Sequence, residues 1–143
     1  MSLNYSKYFK DPVHGHIGIL DEELELIDSN EWIQRLRRVK HLALGCLVYI
    51  GANHTRFEHS IGVMYLVTRV LERLQKTNAF KSLCSDLQIE YGDLSFESLL
   101  RNMRLIALLH DIGHLPLSHP MEEIVSHINE DFQRFIKRYG GYG

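Results

Sequence analysis

Leu108-Leu109-His110-Asp111-Ile112-Gly113-His114-Leu115-Pro116-Leu117-Ser118-His119 joins an apolar run, Leu105 to Leu109, to a His-Asp pair, and two more histidines follow. An imidazole beside a carboxylate at the end of a buried segment offers one nitrogen and one oxygen to a hard or borderline divalent cation. Two ligands do not make a site. The upstream stretch Thr55-Arg56-Phe57-Glu58-His59-Ser60-Ile61-Gly62 contains the obvious third donor, His59. The chain therefore reads as a helical scaffold holding His59, His110 and Asp111 around a metal, with His114 and His119 beside it. An isolated His-Asp pair arises easily by chance. A pair with histidines four and nine residues after His110, in a Gly- and Pro-interrupted motif, favours metal or phosphate chemistry over packed core histidines.

Composition narrows the class. At 143 residues the chain has the length of one domain and can bury a real core. Hydrophobic residues at 45% and charged residues at 24% fit a globular protein and argue against disorder. A formal charge of −2 with no long cationic run gives no nucleic-acid or membrane footprint. No apolar run approaches a membrane span and no signal peptide opens the chain. Cys46 and Cys84 are far apart with no CxxC, so they suit reduced thiols and a cytoplasmic location.

Along the chain, residues 1–20 form an arm in which Asp-Pro and Gly signals precede a short Ile/Gly alternation, which predicts an extended segment or small hairpin. His14 and His16 read there as turn or surface histidines. Residues 21–138 read as a helical core. Asp21-Glu22-Glu23 opens a short helix with Leu24 and Ile27 on its apolar side. Ser29 or Asn30 caps a second helix from Glu31 to about Ala43, with Trp32, Ile33, Leu36, Val39 and Leu42 near helical spacing. Residues 45–55 are a connector. A long helix runs from Arg56 to about Lys76, its apolar face including Phe57, Ile61, Met64 and Leu71. Residues 77–94 are a weakly periodic connection with one short helix. Ser95 begins the helix that delivers His110 and Asp111, with Leu99, Leu100, Met103, Ile106, Ala107 and Leu109 as its core. After Gly113 and Pro116 a last helix runs from Pro120 to about Arg138, with Met121, Ile124, Val125 and Ile128 on its buried side. The expected fold is all-α, a helical bundle with at most a small N-terminal hairpin.

Adjacent helical residues point about 100° apart, so one ion at a helix flank can touch both His110 and Asp111. His59 would complete three protein ligands and leave coordination positions open, a catalytic rather than a closed structural layout. A divalent cation there lowers the pKa of water and cancels phosphoryl charge. His114 and His119 can carry protons to the leaving group. Glu122, three residues after His119, can fix that ring's tautomer. Arg56 offers a fork for phosphate.

At this point FEHSIG followed by LLHDIGHLPLSH resembles the HD-domain phosphohydrolases, in the branch of the dNTP triphosphohydrolases and the animal SAM-and-HD-domain enzymes. KDPVHGHIGI, LIDSNEWIQRLRRVKHL and GANHTRFEHSIGV have counterparts there too, so the resemblance covers most of residues 9–122. It implies a helical HD domain, a divalent metal (Fe, Mn, Zn or Mg) and cleavage of a nucleoside triphosphate to nucleoside and triphosphate. By position, His59, His110 and Asp111 match metal ligands, Arg56 a phosphate-contacting arginine, and His114 and His119 active-site histidines. Glu122 stands where the animal enzymes have a supporting aspartate. His41 and Leu42 fall at the substrate-contacting segment, where relatives carry Gln in place of His41. Asp28, Gln34 and Arg37 fall where those enzymes bind an activating guanine nucleotide between subunits, which implies a homo-oligomer. The family's fourth metal ligand is an aspartate well downstream. Asp131 does not resemble that motif, and His127 has an ambiguous register with a further active-site histidine. The expectation is one HD domain over 1–143, incomplete at its C-terminus. The competing expectation is a catalytically deficient nucleotide-binding or assembly module with an incomplete metal site.

Overall fold

The computed structural model describes residues 3–77, 82, 85, 95–117, 119–128 and 134, with the side chains at 119, 120 and 126–128 outside that description. The connection expected at 77–94, the far end of the last helix, Asp131 and the His127 side chain lie outside the described residues. The protein is mostly helical with one small antiparallel hairpin. It divides into two compact units: Met1–Leu24 with Ser60–Leu109, and Glu25–His59 with His110–Gly143.

In the first unit the Ile/Gly alternation forms a hairpin of β1 (Lys7–Asp11) and β2 (Gly15–Ile19), paired from Lys7 opposite Ile19 to Asp11 opposite Gly15. Asp11 Oδ1 accepts the N–H groups of Val13 and His14 at 2.9 and 2.7 Å, and Gly15 takes φ of 79°. This is the Asx turn and left-handed glycine that a three-residue hairpin loop requires. Ile17 and Ile19 point inward and are fully buried. α1 (Asp21–Ser29) follows, of which residues up to Leu24 belong here, then α3 (Arg56–Leu74), of which residues from Ser60 onward do. α3 buries Phe57, Ile61, Met64, Thr68 and Leu71, the three- and four-residue spacing of a single helical stripe. α4 (Phe96–Leu109) begins where Ser95 Oγ accepts the Ser98 N–H at 3.1 Å.

A buried cation holds this unit together. Arg104, 1% exposed, lies on α4 and forms a two-pronged pair with Glu23 of α1, Nε to Oε1 at 2.6 Å and Nη2 to Oε2 at 2.7 Å. Its Nη1 donates to Thr68 Oγ1 of α3 at 2.7 Å, and Nη2 also donates to the Gly18 carbonyl of β2 at 2.8 Å. Glu23 Oε2 accepts the Leu20 N–H at 2.9 Å. One guanidinium thus ties four elements. The buried side of α4 is Leu100, Arg104, Ala107 and Leu108, so Ile106, expected in the core, is 60% exposed.

In the second unit, α2 (Glu31–Leu36) is capped by Asn30, whose side chain accepts from the N–H groups of Trp32 and Ile33. It stops well before Ala43. Arg37 and Arg38 close short turns onto Gln34 and Arg35. The chain then pairs with the segment before α3: the Arg56 N–H donates to the Val39 carbonyl at 2.9 Å, Lys40 bridges Thr55, and the His41 N–H donates to the His54 carbonyl at 3.1 Å. That short antiparallel ladder outcompetes continued helix. Trp32 is 57% exposed, because the buried side of α2 is Ile33 and Leu36. A 3-10 helix follows at Ala43–Leu47. α5 (His119–Ile128) has Ile124 56% exposed, again unlike the expected buried side.

Replacing Arg104 with Met should destabilise the protein by about 3–5 kcal/mol, because it strands Glu23 as a buried, unpaired carboxylate. The double variant Glu23→Leu/Arg104→Met should recover most of that loss. Urea unfolding midpoints decide the matter, and a single variant within about 1 kcal/mol of wild type would show that the pair is not what ties the four elements.

Candidate metal centre

The N-terminus of α3 presents Arg56, His59 and their neighbours from a reciprocal cap. Glu58 Oε2 accepts from the Thr55 N–H and, at 2.8 Å, from the Thr55 hydroxyl, while Thr55 Oγ1 accepts the Glu58 N–H at 3.3 Å. This bonding holds Glu58 below the ordinary carboxylate range, the backbone N–H of Thr55 being the main cause. One turn further on, His59 faces Asp111, which α4 delivers at its end.

Asp111 is 5% exposed and both of its oxygens have neighbours. Oδ2 accepts from Arg56 Nη1 at 2.6 Å, and Arg56 is itself 5% exposed. Oδ1 lies 3.3 Å from His110 Nε2 and 3.6 Å from His114 Nε2. The His110 ring meets the His59 ring edge-on at 5.3 Å. The ladder brings in His41, whose ring stacks on His59 at 4.0 Å with 16° between planes. Single ligand atoms of His41, His59 and Asp111 lie within 4.8 Å of one another.

The structure thus gathers His59, His110, Asp111, Arg56 and His114 in the second unit. It adds His41, read from sequence as a substrate contact, to the metal-facing group. Glu122 also gains a partner that the one-turn spacing does not predict: its Oε1 bonds His114 Nδ1 at 2.9 Å. The segment between them turns back through Leu117 at φ 70°, which helical spacing does not anticipate. The His119 side chain lies outside the described residues. Leu42 is 47% exposed. Of the regulatory candidates, Gln34 Oε1 accepts from Arg37 Nε at 2.9 Å and both line a cavity of about 350 Å³ with Glu31, Arg35 and Arg38; Asp28 is exposed and not part of that lining.

Two residues here carry no signal in a sequence pattern. Arg35 Nη2 donates to the carbonyls of Ile112 and His114 at 3.0 and 2.7 Å, fixing the loop that carries Asp111. Burial, and after it the charge of Arg56, lower its pKa. His54 bonds His41 ring to ring, Nε2 to Nδ1 at 2.9 Å. Burial pushes the His41 pKa down to about 4, helped by His59, Arg56 and His54. Burial also lowers His59, against the opposing pull of Asp111. Both rings are therefore neutral near pH 7, the form that coordinates a metal. Imidazole nitrogens with a buried carboxylate are a donor set that suits a borderline divalent cation.

The HD domain family model matches residues 56–139. YwfO of Bacillus subtilis is 39% identical over 135 residues, which are 94% of this chain and 28% of that protein. The deoxynucleoside triphosphate triphosphohydrolase SAMHD1 of Xenopus laevis is 40% identical over 118 residues, 82% of this chain and 17% of that protein. The crystal structure of a phosphohydrolase from Bacteroides thetaiotaomicron superposes with a TM-score of 0.63 at 37% identity, over 81% of this chain and 26% of that one. The chain thus spans between 17% and 28% of the length of these relatives. Among the described residues no helix is long and apolar enough to cross a membrane.

The depressed histidines make stability depend on pH with a defined sign. The unfolded chain takes up protons at His41 from about pH 6.5, and the folded chain not until about pH 4, so acid favours the unfolded state throughout that window. Metal-free protein should lose stability between pH 7 and 5.5, a range above carboxylate titration. His41→Gln should flatten that slope. Urea midpoints at the two pH values measure it, and an unchanged slope in the variant would contradict the burial of a neutral His41.

Proposed function

The chain belongs to the HD-domain family, and from that premise we propose that it is a metal-dependent phosphohydrolase that acts on deoxynucleoside triphosphates, releasing nucleoside and triphosphate. The observation that carries this reading is the convergence of His59 and Asp111 ligand atoms, with those of His41, within 4.8 Å. His110 and the bonded His114–Glu122 pair stand beside them. The substrate class is supported by the SAMHD1 relatives, whose name is that of a deoxynucleoside triphosphate triphosphohydrolase.

His59, His110 and Asp111 would hold the divalent cation, of the class Fe, Mn, Zn or Mg. Bound there, it supplies charge neutralisation at phosphoryl oxygen and a water of lowered pKa. The remaining work falls to the chain's own side chains. Arg56 and Arg35 place two guanidinium charges in the same unit, close enough for one to lower the pKa of the other, and this field favours a polyanion. A water attacks the α-phosphorus, and the bond from that phosphorus to the sugar 5′ oxygen breaks. Glu122 holds Nδ1 of His114 and so fixes the ring, leaving Nε2 to hand a proton to the departing oxygen. His119, placed by the sequence in the same motif, is the second proton carrier of this proposal. Leu42 contacts the sugar side. Gln34 and Arg37, in the arginine-lined cavity, would receive a regulatory nucleotide's phosphates.

The test is product analysis by ion-pair chromatography after incubating the protein with each dNTP and Mn²⁺, Fe²⁺, Zn²⁺ or Mg²⁺. Nucleoside and triphosphate should appear in equal amounts. His114→Gln should slow turnover by about 10²–10⁴-fold, the usual worth of a positioned acid. His110→Ala and Asp111→Asn should abolish it together with metal uptake. A nucleoside monophosphate product, or a metal-loaded protein with no turnover on any dNTP, would overturn this reading.

A further inference from the structure

The ladder that ends α2 also places a side chain. With Val39 paired to Arg56 and Lys40 to Thr55, the next pair in register is His41 and His54. Residues directly opposed on an antiparallel ladder share a face and bring their side chains close. His41 is accordingly pinned twice to His54, by its backbone N–H to the His54 carbonyl at 3.1 Å and by Nδ1 to His54 Nε2 at 2.9 Å. Thr55 then caps α3, and the His59 N–H donates to the Thr55 carbonyl at 3.0 Å. The ladder register and the helix start together set His41 against His59, with ring centroids 4.0 Å apart and planes within 16°.

Resting on the metal-dependent reading above, we propose that His41 is a metal ligand, and that His54 is the positioning residue that fixes its ring. Nδ1 is engaged by His54, so Nε2 is the nitrogen that coordinates. A ligating histidine characteristically has its second ring nitrogen hydrogen-bonded to a neighbour that sets its tautomer and orientation. His54 fills that place from the same ladder. The parallel stack lets two imidazoles present nitrogens to one ion without their rings colliding. Asp111, within 4.8 Å of both, contributes the carboxylate oxygen. A set with imidazoles in the majority changes the class of ion. Mg²⁺ prefers oxygen ligands, whereas Fe²⁺, Co²⁺ and Zn²⁺ accept imidazole readily. The site is therefore assigned to a borderline transition-metal ion, and Mg²⁺ should compete poorly for it.

Co²⁺ is the probe, because its visible absorption reports the ligand set and its affinity is measured by competition with a chelating dye. Wild type, His41→Ala, His41→Gln, His54→Phe, His59→Ala and Asp111→Ala are titrated on the full chain, with far-UV circular dichroism of each metal-free variant as a folding control. Both His41 variants should bind Co²⁺ at least about tenfold more weakly with a changed spectrum, and His54→Phe about tenfold more weakly, the usual effect of losing an orienting partner. Paramagnetically shifted imidazole N–H resonances should lose one signal in His41→Gln. Should His41→Ala not fold, His41→Gln and His54→Phe decide the question. Wild-type affinity and spectrum in the His41 variants, with binding lost in His59→Ala and Asp111→Ala, would overturn the assignment and leave the metal site standing. Unchanged Co²⁺ binding in His59→Ala and Asp111→Ala would bring down the metal-dependent reading itself.

Discussion

The contact between Arg56 Nη1 and Asp111 Oδ2, at 2.6 Å with both residues nearly out of solvent, sets the terms for the second unit. Burying a carboxylate costs several kcal/mol unless a partner is in place. Arg56 supplies that partner from the first position of α3, where the capping exchange between Thr55 and Glu58 and the bond to the Val39 carbonyl fix the backbone. The two oxygens of Asp111 are thereby given different work. Oδ2 belongs to the guanidinium, and Oδ1 faces His110 and His114. A carboxylate divided in this way can accept a cation on one side without releasing the fold on the other.

Guanidinium groups serve as ties in both units, in different ways. Arg104 sits among acceptors from β2, α1 and α3, and joins them in one buried network. Arg35 spends two bonds on main-chain carbonyls of the loop beyond Asp111, and its Nε has no hydrogen-bond partner among the described residues. A loop whose Leu117 takes a left-handed φ of 70° needs such an anchor, since that conformation is strained for a branched side chain. The planar fork of arginine suits paired carbonyls in a way a lysine cannot reproduce.

Much of this was legible in the chain. Alternating Ile and Gly with a preceding Asp-Pro marked the hairpin, Asn30 and Ser95 marked helix starts, and the stripe on α3 emerged with its expected spacing. The grouping of His59 with His110 and Asp111 followed from residue types and motif. What escaped is instructive in physical terms. Helical periodicity extended α2 to Ala43, because nothing local reveals that residues 39–41 find better partners across the chain at 54–56. Ile106 faces solvent because Arg104, a residue type that usually faces water, occupies the buried stripe instead. In each case a long-range hydrogen bond or ion pair overrode a local preference.

The same long-range ladder explains why His41 and His59 are held neutral. Placing His41 against His59 and His54 removes water from the rings and crowds them with positive neighbours, which lowers the pKa of His41 and His59. Judged as folding energetics this is a weakness, since protonation of the unfolded chain then works against the native state. Judged as coordination chemistry it is preparation. A histidine must shed its proton before it can bind a metal, and cations compete with protons for the same nitrogen. Rings that fold into the neutral form meet the cation already deprotonated, so the desolvation that costs stability in acid is recovered as readiness to bind.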